Sequence, residues 1–174
     1  MQKQIRLHGQ ESLFSKVEHR IAESDTMYRG SDAYYFEVGA SALSVIQSAL
    51  AKAGKPHDTV RSVLDYASGY GRVLRWMKVA FEEAEFCAID SDKKALALAK
   101  ALLNVETREA DLSMSQPLHR KFDLIWSGSL VTHLPEKQTS ALLSYLKRQL
   151  APGGLLVFTT HGELVAERMR TGSK

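Results

Sequence analysis

Hydrophobic positions along this chain follow two different rhythms. Up to about residue 58 they recur at helical spacing. Leu13, Phe14, Val17 and Ile21 follow a possible cap at Ser12 and predict a short amphipathic helix. Leu43, Ile46 and Leu50 share one face of a second helix that starts near Ala40 and is stopped by Gly54 and Pro56. The stretch between them, MYRGSDAYYFEVG, carries three tyrosines with no clean period and is expected as loop. From Val60 onward short β-like runs alternate with helical stretches. VRSVLD, EFCAID, VETREA, FDLIWS and GLLVFTT read as strands, the third of them weaker. Residues 72–81, 92–103 and 136–150 read as helices. Strand and helix in regular succession predict right-handed crossovers and a doubly wound, mostly parallel α/β sheet of about five strands, preceded by N-terminal helices. A single domain over residues 1–174 is expected, with a helical cap or lid at 1–58, a core at 59–162 and a tail, helical or frayed, at 163–174.

Composition narrows the picture. The 174 residues are 44% hydrophobic and 25% charged, the balance of one globular domain with a full core. No run of roughly 18 apolar residues occurs, and MQKQIRLHGQES lacks the apolar run of a secretion signal, so a cytoplasmic protein with no membrane partner is expected. The lone Cys87 excludes an internal disulfide framework and a cysteine-based zinc cluster, and its apolar surroundings predict a buried thiol; no metal is expected. The net charge of +3 is small, and no Lys/Arg block resembles a nucleic-acid footprint.

In sheets of this kind ligands bind beyond the carboxyl ends of the strands, near the point where strand order reverses. Those ends carry acids and small residues in succession here: Asp65 and a glycine-rich turn, then Asp90, then Ala110 and Asp111, then Ser127, Gly128 and Ser129. Asp and Gly also punctuate loops and cap helices, so each alone has an ordinary explanation. Four successive strand ends in order point to a site. The turn LDYASGYGR sets Ala67, Gly69 and Gly71 on alternate positions, which does not fit G-x-G-x-x-G in either register, and no G-K-[ST] occurs. A nicotinamide-dependent oxidoreductase is therefore disfavoured.

D-x-A-x-G-x-G instead resembles motif I of class I S-adenosylmethionine-dependent methyltransferases, with Ala67 in place of the first motif glycine. FCAIDSD, READL, FDLIWSGSLVTHLPE and LKRQLAPGGLLVFTT resemble that family's later motifs in the expected order, over roughly residues 62–162. The resemblance implies an S-adenosyl-L-methionine (SAM) site in a Rossmann-like methyltransferase fold. In it the backbone of Ala67, Ser68 and Gly69 approaches the methionine portion, with Tyr66 and Gly71 in the same turn, and Asp65 lies near the ammonium. Asp90 and Ser91 meet the ribose, a carboxylate offering two acceptors to a diol. Asp111 would accept from the adenine amine, with Ala110 and Leu112 beside the ring and Ser127 beside the cofactor. Asp90 as a cap for the next helix is the alternative reading, and Asp92 is equally suited to that cap.

Methyl transfer relies mainly on positioning, and a hydroxyl acceptor also needs a base. His133 is the catalytic candidate, since imidazole takes a proton near neutral pH; His161 is a second. THLP as a simple helix entry is the alternative for His133. Tyr28, Tyr34 and Tyr35 are expected in a lid, or else in packing. The resemblance implies a small-molecule or glycan-like methyl acceptor, with a cofactor-binding module lacking its own catalysis as the alternative. Too few residues follow GLLVFTT for the family's sixth and seventh strands, so the fifth strand is expected as an exposed apolar edge. Such an edge predicts a homo-oligomer or a shortened version of a longer protein.

Overall fold

The computed structural model describes residues 5–111, 113–114 and 117–171. Five strands, β1 (Ser62–Tyr66), β2 (Glu85–Asp90), β3 (Glu106–Glu109), β4 (Phe122–Ser127) and β5 (Leu150–Phe158), form one sheet in the order β3-β2-β1-β4-β5. Every neighbouring pair is parallel. The doubly wound expectation holds, and strand order reverses between β1 and β4.

Both faces of the sheet are covered, which is why its central strands read as nearly continuous apolar runs. Val63, Phe86, Ala88, Leu124 and Trp126 face one core. That core receives α1 (Glu11–Phe14), α2 (Asp32–Lys52), α3 (Leu74–Ala80) and α4 (Lys93–Leu103). Leu64, Cys87, Ile89 and Ile125 face the other core, against Leu142, Tyr145 and Leu146 of α5 (Glu136–Gln149). A last helix, α6, runs over Glu163–Thr171. Cys87 is buried as expected, and burial pushes its thiol up to about 12. At the far end of the sheet Asp123 Oδ2 accepts from the amides of Arg61 and Ser62, at 3.0 Å each, and so pins β1 to β4.

Three local expectations are corrected. The opening helix is only four residues long, and Val17 and Ile21 reach the core from non-helical backbone. The apolar spacing is satisfied without the helix. The expected loop around Tyr34 is instead the first part of α2, which starts at Asp32 with Ser31 as its cap, Oγ accepting from the Tyr34 amide at 3.3 Å. Aromatic residues and Gly39 have modest helix propensity, but Tyr35, Phe36 and Gly39 are buried in the helix, and burial overrides propensity. The final strand begins earlier than expected. Phe122 pairs with Leu150 and Leu124 with Leu155, so the Pro-Gly-Gly turn bulges out between two paired stretches of β5. β5 is an edge strand, as expected, and α2 packs against it from one face.

Gly39 sets how closely α2 and α3 approach. A Cβ there would lie 2.4 Å from Trp76 Cδ1 and 2.6 Å from the Arg72 carbonyl oxygen, a clash with backbone that no rotamer relieves. Gly39→Ala is expected to destabilise the fold by about 1–3 kcal/mol, measured as a lowered urea midpoint at unchanged slope.

Candidate functional site

The turn after β1 explains the alternate small residues. Ala67, Gly69 and Gly71 have φ of 65°, 51° and 79°, so three alternate positions occupy the left-handed region that side chains disfavour. The amides of Ala67 and Ser68 donate to the Ile89 carbonyl at 2.8 and 3.1 Å, and the Gly69 amide donates to Asp90 Oδ2 at 2.7 Å. The turn is thereby tied down onto the end of β2. Its glycines differ in purpose. A Cβ at Gly71 would meet Leu103 Cδ1 at 2.8 Å, a packing constraint, whereas nothing lies within 4 Å of a Cβ at Gly69, which faces open space.

Two cavities open at the carboxyl end of the sheet on either side of this turn. The first, about 290 Å³, lies at the reversal between β1 and β4 and is lined by Asp65, Ser68, Gly69, Arg72, Trp126 and Ser129, with α2 as its outer wall. The second, about 380 Å³, is lined by Tyr66, Asp90, Ser91 and Ala110 together with apolar Met114 and Leu130. Ala67 lines both. The expected residues therefore converge on one edge of the sheet. Ser127, at the end of β4, is fully buried and lines neither cavity, its carbonyl accepting from the Thr159 amide at 3.2 Å. Asp111 sits in an adjoining recess with Tyr66, Arg108 and Tyr145, and accepts from the Ser113 amide at 2.9 Å. Leu112 lies outside the described residues.

Of the two acids the sequence offered as a cap for α4, Asp92 takes that place, its Oδ1 accepting from the amides of Lys94 and Ala95 at 2.8 and 3.2 Å. Asp90 accepts from Gly69 and, through Oδ1, from the Asp92 amide at 2.9 Å. A carboxylate has about four acceptor sites, so Asp90 retains capacity on both oxygens.

Asp65 dominates the electrostatics. It is 2% exposed, and Oδ2 has no hydrogen-bond partner among the described residues. Burial, aided by repulsion from Asp90, pushes its carboxyl up to about 8. Ser68 Oγ and Ser127 Oγ are likewise buried without a partner. Asp65 and Ser68 line the first cavity, and their unmet oxygens call for a cationic or multiply donating group there. Arg72 supplies the complementary charge on the same cavity, with no hydrogen bond to any described residue. An amino acid's ammonium and carboxylate would match this pair of charges.

The catalytic candidates are not brought to the site. His133 is exposed in a 3-10 turn over Val131–His133 and lines neither cavity, because the turn buries Val131 and half-buries Leu134, leaving His133 on the outside. His161 is exposed and also lines neither. Tyr35 is no lid residue: it is completely buried, and its hydroxyl donates to Asp25 Oδ2 at 2.6 Å. Tyr28 and Tyr34 are exposed, and Tyr28 donates to Asp32 Oδ1 at 2.7 Å.

Sequence reasoning missed Asp25, Arg72 and Arg75. Asp25 is buried and lines the first cavity. Arg75 is buried inside α3. An arginine within the apolar run VLRWMKVAF was the one available signal, because a charge there requires partners.

Comparison with known proteins agrees with this fold. Among solved structures, DesVI of Streptomyces venezuelae matches with a TM-score of 0.61 at 20% identity, over 80% of this chain and 57% of its own. CalS10, an amino pentose methyltransferase of Micromonospora echinaspora involved in calicheamicin biosynthesis, was solved with SAM bound. It matches with a TM-score of 0.58 at 22% identity, over 74% of this chain and 51% of its own. The plantazolicin methyltransferase BpumL, in complex with a pentazolic desmethylPZN analogue and SAH, matches with a TM-score of 0.60 at 18% identity, over 77% of this chain and 51% of its own. The chain spans about half the length of these structures. No curated protein matches it. Residues 63–154, from the first strand of the sheet to the Pro-Gly-Gly bulge in the last, match the family model for a methyltransferase domain. With that match over more than half its length, and the strand order and turn described above, the chain belongs to the methyltransferase domain family.

Proposed function

We propose that this chain binds SAM across its two cavities and transfers a methyl group to a small-molecule or glycan-like acceptor. The observation that carries this reading is the pair of buried, unpartnered oxygens on Asp65 and Ser68, both lining the first cavity at the β1/β4 reversal. These suit an amino-acid end with N–H donors, and Arg72 on the same cavity suits its carboxylate. The second cavity suits a nucleoside. Asp90 has acceptor capacity for a ribose diol, and Ala110, Met114, Leu130, Leu134 and Leu142 offer apolar surface for a flat base. The solved relatives that carry SAM or SAH support the same ligand for this chain.

When bound, SAM supplies an electrophilic methyl group whose bond to sulfur breaks with the electron pair passing to sulfur. This chain's residues then have two tasks, to anchor the cofactor and to aim the acceptor. Asp65 and Arg72 hold the methionine end beside the turn. The outer wall of the first cavity, from Met27, Val38, Ala42 and Val45, is apolar and holds an acceptor with little hydration. Asp25 and Ser41 add polar groups to that wall. Most of the acceleration then comes from placing the acceptor's lone pair in line with the methyl carbon.

Asp65 makes the reading testable through protons. In the free protein its carboxyl is raised from 3.8 to about 8, so the folded state holds a proton that the unfolded state has lost between those values. Stability of the free protein falls as pH rises through this window. Binding of the homocysteine product SAH at pH 7 should ionise Asp65 and release nearly one proton, read by calorimetry in buffers of different ionisation enthalpy. Asp65→Asn should abolish the release and weaken SAH about tenfold or more, while the free variant melts higher than wild type at pH 8. Unchanged SAH affinity in Asp65→Asn would sink the ammonium assignment.

Asp90→Ala removes both the diol acceptor and the Gly69 anchor, and should lower SAH affinity about tenfold or more. A variant that binds SAH normally would remove Asp90 from the site. His133→Ala is expected to keep SAH affinity and, in a methyl-donor turnover assay across hydroxyl and amine acceptors, to keep its rate within about twofold. A loss of the 10²–10⁴-fold that a general base contributes would instead restore His133 to catalysis. SAH binding with no turnover on any acceptor class would favour a cofactor-binding module.

A further inference from the structure

A buried polar cluster centred on Arg75 ties the N-terminal segment to the glycine turn. The guanidinium is 1% exposed and all five of its N–H donors are used. Nε donates to the Gly71 carbonyl at 3.1 Å and Nη2 to the Tyr70 carbonyl at 3.4 Å, so one side holds the turn. Nη1 donates to the carbonyls of Glu18 and Arg20 at 2.8 and 3.0 Å, so the other side holds the chain before α2. The remaining donor of Nη2 reaches the Tyr35 hydroxyl at 3.4 Å. Tyr35 passes the connection on to Asp25 Oδ2 at 2.6 Å, and Asp25 Oδ1 accepts from the Met27 amide at 2.8 Å. Asp25 and Met27 both line the first cavity. The Tyr35 ring lies between two cations, with Arg75 Cζ 5.2 Å and Arg72 Cζ 5.9 Å from its centroid.

A single planar group thus fixes carbonyls from the glycine turn and from the segment before α2, 55 and 57 positions earlier in the chain. We propose that Arg75 is a positioning residue that couples residues 18–27 to the glycine turn, so that ligand binding at the turn and seating of this segment against the first cavity are one event. The proposal rests on the reading that the cavities take SAM. Arg75 itself lines neither cavity; it acts through the carbonyls of Tyr70 and Gly71 and through Tyr35 and Asp25. Lysine has neither the five donors nor the planar fork to replace it. Coupling of this kind is reciprocal: if SAH steadies the segment, a broken link must weaken SAH by the factor by which protection falls.

The test combines amide hydrogen exchange over residues 18–28 with SAH calorimetry on the intact chain. In the wild type, SAH should slow exchange in this segment about tenfold, within the usual range of coupling between sites. In Arg75→Lys the protection and the SAH affinity should fall together. Tyr35→Phe keeps the ring and the guanidinium and removes only the hydroxyl, which joins Arg75 Nη2 to Asp25, so it serves even where Arg75→Lys fails to fold. It should reduce both quantities about threefold or more. A purely structural role predicts a lower melting temperature with the SAH-dependent protection intact, and that result in Tyr35→Phe would overturn the proposal. Wild-type protein that binds SAH without protecting residues 18–28 would overturn it too, leaving the cofactor reading standing. Wild-type protein with no SAH affinity would remove both.

Discussion

The burial of Asp65 is the constraint around which the site is organised. A carboxylate taken out of water costs several kcal/mol unless it is paired or protonated, and in this chain one of its oxygens finds no partner among the described residues. Its raised pKa is the physical record of that cost. Such a group at the end of a central strand is a source of differential binding. A cation that enters the cavity recovers an interaction the fold alone leaves unmade, and it does so in a low-dielectric setting where charge pairing is strong.

The sheet topology makes this placement available. Because β1 lies between β2 and β4, the chain leaves it with helices departing to opposite faces, and a crevice opens where the order reverses. The turn over Ala67–Gly71 occupies that crevice. Amide hydrogen bonds to Ile89 and Asp90 hold it against β2, and it takes left-handed backbone at Ala67, Gly69 and Gly71, with Gly69 facing open space. Asp90 therefore shapes the turn while lining the second cavity with acceptor capacity to spare.

The N-terminal segment is part of the site rather than a preface to it. α2 forms the outer wall of the first cavity and meets α3 at Gly39, where only a hydrogen can stand between the helix backbone and Trp76. Arg75 extends this joint by hydrogen bonding across it. Replacing such a satisfied buried cation differs from replacing an apolar core residue, since it leaves carbonyls from two distant segments without donors.

The alternation of apolar runs and helical spacing was enough to read the parallel sheet, since a strand buried on both faces needs an unbroken apolar run and each crossover needs a helix. The strand-end acids were legible for the same reason: a polar residue closing an apolar run has few places to be except the mouth of the sheet. Asp92 and Asp90 could not be told apart as cap and ligand, because both stand beside the start of α4 and only backbone geometry decides which amides each accepts. His133 looked well placed by its position after β4, yet side-chain direction depends on which neighbours the turn buries, and Val131 took the interior. Arg75 in its apolar run signalled a need for partners but not which ones, since its bonds to Glu18, Arg20 and Tyr35 join residues 40 to 57 positions apart. Local periodicity therefore determined the elements and the edge of the sheet where chemistry collects. Tertiary structure alone decided which polar groups face one another, because burial and long-range hydrogen bonding depend on contacts between residues far apart in the chain.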